Sequence, residues 1–261
     1  MPLSPLEMAM RDKLIEHGRA LFDAPKEQVI QFSGNAAADA LLNDLAGHPH
    51  AFVLACLMDR QVKYKRAWLI PYKISEQLGG FSIGALSRLS PEELKAHFKF
   101  QSRPDRKPEA LHRFVEKMSG VFHSGVQRIM SEYAGDASRI WVDQPSSAEA
   151  VYRFLQFDGA GPKIASMAVN ILARDFKVKF ADFYSIDISA DVHVSRVFSR
   201  LGLCTANPTV EQVVYKARAI HPQFPGILDL PCWEIGEAWC KPTQPRCGVC
   251  YMNDLCPKRG L

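Results

Sequence analysis

Four cysteines near the C-terminus share one spacing, Cys240-x6-Cys247-x2-Cys250-x5-Cys256. Thiolates are soft ligands, and four that converge bind either one tetrahedral zinc or one cubane iron-sulfur cluster. Structural zinc sites commonly take their ligands from two short C-x2-4-C knuckles. Here only Cys247 and Cys250 form such a pair, so the spacing favours a [4Fe-4S] cluster over zinc, with disulfides third. A second constellation is Gly159-Ala160-Gly161-Pro162-Lys163. Glycine amides followed by a helix N-terminus suit a phosphate oxygen and read no base sequence. Taken alone, a G-x-G between helices also fits a simple αα-corner. Lys163 enters in the first turn of the new helix, where the helix dipole and burial would each penalise an ammonium, and a lysine held partly neutral is a nucleophile. A third is Asp191-Val192-His193-Val194. An isolated aspartate at the entry to an apolar helix reads as an N-cap.

The elements that must position these residues are mostly helical, because apolar residues recur every three or four positions and alternating strand patterns are scarce. Met1 to Phe22 and Asn35 to Leu45 read as helices, His50 to Met58 as a short buried one, and Val62 to Leu78 as a helix with a basic face. Ser90-Pro91-Glu92-Glu93 is a helix start: serine caps, proline fits the first turn, and acids favour the positive end. Gln101 to Pro108 is charged and broken by prolines, so an exposed loop is expected there, followed by a helix over Glu109 to Tyr133 with a break near Gly125. Ser146 and Glu149 form a capping box for a helix carrying Val151, Phe154 and Leu155 on one face. That helix stops at Asp158-Gly159, and Pro162 starts the next, whose stripe is Ile164, Ala168, Ile171 and Leu172. The pair makes a helix-hairpin-helix. Val194, Val197 and Phe198 mark another helix.

The 261 residues carry a formal net charge of +4 and a pI near 8.6, compatible with nucleic acid without requiring it. No run of apolar residues is long enough to span a membrane, and the first residues carry no uninterrupted stretch of the secretory kind, since Arg11, Asp12 and Lys13 break it. Seven cysteines, an odd number, argue against a disulfide framework. Cys56, Cys204 and Cys232 read as packing thiols. A soluble, reducing, cytoplasmic home is expected, at the nucleoid if the source is prokaryotic.

Together the cysteine spacing, the hairpin Phe157-Asp158-Gly159-Ala160-Gly161-Pro162-Lys163 and the motif Ala190-Asp191-Val192-His193 resemble the helix-hairpin-helix DNA glycosylases with a terminal iron-sulfur loop, the endonuclease III-like group. The likeness runs from about residue 30 to the end of the sequence. It implies an all-α protein of two lobes: a six-helix barrel over 28–176 carrying the hairpin, and a cluster lobe built from 1–27 and 177–261. It also implies a monomer that binds double-stranded DNA containing a damaged base or abasic site and flips the target nucleotide out of the stack. In members with lysine at the position of Lys163, the amine attacks C1′, the base leaves, and a Schiff base permits β-elimination of the 3′ phosphate. Asp191 matches the family carboxylate that stabilises cationic character at the sugar.

The chain also departs from the family. The interval from Lys163 to Asp191 is longer than the family's and contains an aromatic, acidic run, 180–187, so Asp182 and Asp187 compete with Asp191 for the carboxylate role; the flanking valine and histidine favour Asp191. Arg60 and Gln61 occupy the loop from which endonuclease III inserts a glutamine into the gap left by the flipped base, and a phosphate-contact role is open for both. Gly159, Gly161, Lys63 and Arg246 are further DNA-contact candidates, with Lys65, Arg66 and Lys73 on the same basic helix as Lys63 and with Lys241, Lys258 and Arg259 in or beside the cysteine loop. Tyr64, Trp68 and Tyr72 form a stripe that reads as core before stacking platform. His193 reads as structural, and Trp233 and Trp239 as packing against the cluster. Ala55 stands where the adenine-excising branch has its catalytic glutamate, and with five residues following Cys256 that branch's extra domain is not expected. The expected activity is a bifunctional glycosylase and AP lyase on a damaged base, oxidised pyrimidines ahead of others. Excision of a mismatched or uracil-type base, and non-catalytic DNA binding, are the alternatives.

Overall fold

The computed structural model describes residues 4–100 and 109–261. The 101–108 segment, expected as a loop, lies outside the described residues. In chain order the helices are α1 (Pro5–Asp23), α2 (Ala36–Asn43), α3 (Pro49–Met58), α4 (Tyr64–Leu78), α5 (Ile83–Ser87) and α6 (Pro91–His97). Two short strands, β1 (Lys99–Phe100) and β2 (Glu109–Ala110), pair antiparallel. Then come α7 (Val115–Glu132), α8 (Ser147–Leu155), α9 (Pro162–Arg174), α10 (Val192–Arg200), α11 (Val210–Ile220) and α12 (Asp229–Glu234). The fold is all-α.

Contacts gather the chain into two units. One takes 27–144 and 152–164, the other 1–26, 145–151 and 165–261, so α8 and α9 each give residues to both. The division expected at 176 falls instead inside α9. From Ala165 onward the helix belongs with the C-terminal segment, where Asn170 Nδ2 donates to the Gly226 carbonyl at 2.9 Å.

In the unit of 27–144 and 152–164, α3 is the axis of the core: all its residues from Pro49 to Met58 are buried. Each such leucine or phenylalanine contributes on the order of 1.5–3 kcal/mol. Helix α7 lies against α3 and runs unbroken through Gly125, where a Cβ would sit 3.0 Å from Leu57 Cδ1 and 3.1 Å from Leu54 Cδ2. Glycine there permits close helix approach and does not break the helix. Helix α7 starts at Val115, later than its sequence pattern predicts. Residues 109–110 are held extended in β2, and the Arg66 guanidinium on α4 donates to the carbonyls of Ala110 and Leu111.

In the unit of 1–26, 145–151 and 165–261, α1 opens with a Ser4–Glu7 capping box and buries Met10 and Leu14. The Ser4 amide and the Lys216 ammonium hold the Glu7 carboxyl down to about 2. Helix α10 buries Val194, Val197 and Phe198, and Gly236 lets the next turn of chain pass His193 closely, since a Cβ there would meet His193 Cβ at 2.6 Å.

Candidate active site and cysteine loop

The hairpin turn is made by one glycine in particular. Gly159 has φ +82°, a left-handed conformation that L side chains resist, and a Cβ there would lie 2.9 Å from Val121 Cγ1. Gly161 would tolerate a Cβ, with nothing within 4 Å, so its role is openness at the turn and not backbone freedom. Phe154 near the end of α8 and Phe157 just past it are buried ahead of the turn, while Leu155 is 37% exposed. The expected burial of Leu155 fails because the stripe drifts past it as the helix ends.

Pro162 opens α9 and Lys163 follows in its first turn. The amine is not isolated by burial as the sequence reading expects. Its side chain is 37% exposed, and Nζ donates to Asp59 Oδ2 at 3.2 Å, a carboxylate only 12% exposed. Asp59 is the C-cap of α3, the first polar residue after ten buried ones. Sequence reasoning passed over it. The abrupt change from an apolar run to an acid was the available signal, but 104 residues separate it from its partner. On the same turn, Gln61 has φ +53°, and the buried His112 places Nε2 3.0 Å from the Arg60 carbonyl oxygen. This fixes the backbone of the Arg60–Gln61 loop while both side chains stay exposed.

Asp191 is the N-cap of α10: Oδ1 accepts from the His193 and Val194 amides, both at 2.8 Å. Its two rivals are committed elsewhere. Asp187 forms a two-pronged pair with Arg218, 2.7 Å at each oxygen, and Asp182 Oδ1 accepts from the Ser147 hydroxyl and the Tyr184 amide. The run 180–187 is thus tied by its two acids to Ser147 and Arg218, whereas both cap bonds of Asp191 fall on Oδ1.

The four cysteines line one cavity with Val197, Leu201, Ile235, Trp239 and Met252. Among the described residues no three His, Cys, Asp or Glu groups stand close enough for a single metal ion. Two arginines on one face of α10 brace the loop. Arg200, nearly buried, donates to Cys240 Sγ at 3.4 Å and to the carbonyls of Lys241 and Pro242 at 2.6 and 3.0 Å. Arg196 donates to the Cys240 and Gly236 carbonyls at 2.6 and 2.9 Å. Burial, with the neighbouring cysteines adding, raises the Cys250 and Cys256 thiols above the ordinary range. Soft donors, a largely apolar wall and a guanidinium that offsets thiolate charge suit a thiolate-ligated group. Of the two expected tryptophans, Trp239 lines this cavity, while Trp233 packs its ring 6.2 Å from that of His193. Cys56 and Cys232 are fully buried, as packing thiols.

The basic candidates divide by partner. Arg66 is spent on β2 as described, Lys73 pairs with Glu76 at 2.6 Å, and Arg246 donates to the Ala238 carbonyl at 2.6 Å. Lys63 and Lys65 are exposed at the start of α4. Trp68 alone of the aromatic stripe is core, stacked on Phe32 at 4.5 Å.

No family model matches the chain. Over 155 residues it is 26% identical to endonuclease III of Thermotoga maritima, a match covering 58% of this chain and 64% of that protein. Over 136 residues it is 26% identical to the chloroplastic endonuclease III homolog 2 of Arabidopsis thaliana, covering 49% and 30%. The chain thus spans less than two thirds of the length of these curated relatives. Among solved structures, a trapped endonuclease III–DNA covalent intermediate superposes with a TM-score of 0.61 at 17% identity, over 98% of this chain and 97% of that one. A thermostable thymine-DNA glycosylase does so at 0.62 and 12% identity, over 96% of each. At these identities the structural likeness establishes the fold.

Proposed function

We propose that this member of the helix-hairpin-helix DNA glycosylase superfamily is a base-excision-repair enzyme that removes a damaged base through Lys163 and then cleaves the strand as an AP lyase. The observation that carries the reading is a lysine in the first turn after the hairpin, accessible to a ligand and hydrogen-bonded to a nearly buried carboxylate. Its nitrogen pair attacks C1′ of an extruded nucleotide, the base departs, and the Schiff base activates the neighbouring C–H for β-elimination of the 3′ phosphate. Asp191, with Oδ2 outside its cap, stabilises positive charge developing at the sugar. The Gly159–Gly161 amides hold a phosphate, and Arg60, Gln61, Lys63 and Arg246 contact the duplex around the extruded nucleotide. Arg246 does so while one of its nitrogens stays on its own loop.

Cys240, Cys247, Cys250 and Cys256 hold a [4Fe-4S] cluster. Such a cluster would cross-link the four cysteines and so staple the loop, and would supply no chemistry on the substrate. Arg196 and Arg200 orient the loop from α10. The enzyme acts as a monomer on double-stranded DNA in the cytoplasm, at the nucleoid in a prokaryote; no helix among the described residues is long and apolar enough to cross a membrane.

Oxidised pyrimidines are the substrate proposed first. Incubating the purified protein with duplexes carrying thymine glycol, 5-hydroxycytosine, 8-oxoguanine, uracil or a thymine–guanine mismatch tests this. Release of an oxidised pyrimidine with a β-elimination end is expected. Release of only thymine or uracil would move the substrate to mismatch repair, and release of nothing would leave a binding protein.

A further inference from the structure

We infer that Asp59 is the proton acceptor for the Lys163 amine, a second carboxylate in the chemistry besides Asp191. This deepens, and rests on, the Schiff-base reading of the same lysine. Three observations meet at Asp59. Its Oδ2 lies 3.2 Å from Lys163 Nζ, within reach of direct proton transfer. Its side chain is 12% exposed against 37% for the lysine, so the acid is the sheltered partner and the amine faces outward. Its backbone is fixed at the end of the most buried helix of its unit, the Asp59 amide donating to the Cys56 carbonyl at 3.1 Å.

A bound duplex that excludes water removes the solvation favouring the ion pair over the neutral acid and amine, and the proton then passes down the existing hydrogen bond. On an abasic aldehyde, the Nζ–H bond breaks and its proton goes to Asp59 Oδ2. The freed pair forms the Nζ–C1′ bond, and the carbonyl pair moves to oxygen, which takes a proton from the new ammonium. Asp59 then returns its proton to the hydroxyl, which leaves as water as the C=N bond forms. The sum is ammonium plus aldehyde giving protonated imine plus water, with Asp59 regenerated. The other titratable groups around this turn are placed differently. The Cys56 thiol is buried in α3, where desolvation and the Asp59 charge push it well up, and the His112 ring is turned to the Arg60 carbonyl. Burial, with Arg66 and Arg113 near it, lowers His112.

The test measures the initial rate of borohydride-trapped adduct on an abasic duplex from pH 6 to 9, for the wild-type chain, Asp59→Asn, Asp59→Glu and, as background, Lys163→Ala. Asp59→Asn is expected to trap about 100-fold more slowly at pH 7 and to recover about tenfold per pH unit, because solvent must then remove the proton. Asp59→Glu restores most of the rate at neutral pH. A wild-type rate and pH slope in Asp59→Asn overturns the inference and leaves the Schiff base intact. A loss equal at every pH, with no rescue by glutamate, assigns Asp59 a structural role and also overturns it. No adduct from the wild type overturns both the Schiff-base reading and this one.

Discussion

Gly159 and Gly161 look alike in the sequence but differ in what their backbones require. At φ +82° and with Val121 against its missing side chain, Gly159 resists any Cβ, whereas Gly161 faces open space. Gly159→Ala should therefore lower stability by about 1–3 kcal/mol, while Gly161→Ala should stay within about 1 kcal/mol. Urea denaturation of the two variants checks this, and equal losses would contradict it. What local spacing made legible in advance was placement: four cysteines around one cavity, a glycine turn at Gly159, Lys163 in the first turn of the next helix and Asp191 as the cap of α10. Asp59 was not legible, since what matters about it is a contact across 104 positions. The competition among Asp182, Asp187 and Asp191 also needed coordinates, because only they show that Asp182 and Asp187 are already bonded to Ser147 and Arg218, each more than thirty residues away.

Helix α10 carries one end of the cysteine loop on two arginines four residues apart, hence on one face. Arg200→Met leaves Lys241 and Pro242 carbonyls without their donor and removes the charge beside Cys240 Sγ. With the proposed cluster in place, iron should leave to a chelator at least several-fold faster from this variant than from the wild type, read by loss of visible absorbance; an unchanged rate would show that the loop does not depend on Arg200. Helices with strong local signals were readable. Asn35 and Ser90 cap α2 and α6 as their sequences indicate, and Pro162 opens α9. The five-residue helix α5 and the two-residue strands were not, because segments that short show no period. The late start of α7 has a tertiary cause, the Arg66 guanidinium holding the preceding residues extended.

At the scale of the whole molecule, the all-α architecture followed from apolar periodicity, but the division of the chain through α8 and α9 did not, since a helix shared between two units looks continuous in sequence. Folding also builds in a pH dependence through His50. It is buried in α3 with Nε2 2.7 Å from the Phe81 carbonyl oxygen, and desolvation pushes its pKa from 6.5 down to about 4. The folded ring stays neutral while the unfolded chain takes up a proton below pH 6.5. Stability is therefore full above pH 6.5 and falls toward pH 4, by at most about 3 kcal/mol from this residue. Urea midpoints at pH 7 and 4.5 should differ accordingly, and His50→Gln should flatten the difference. The central claim, that Lys163 is the amine that forms the Schiff base with the sugar, is tested most directly by trapping the wild-type protein on an abasic duplex with borohydride and mapping the modified peptide by mass spectrometry. A single adduct on Lys163, absent from Lys163→Ala, is the expected result; an adduct on another amine, or none, would contradict it.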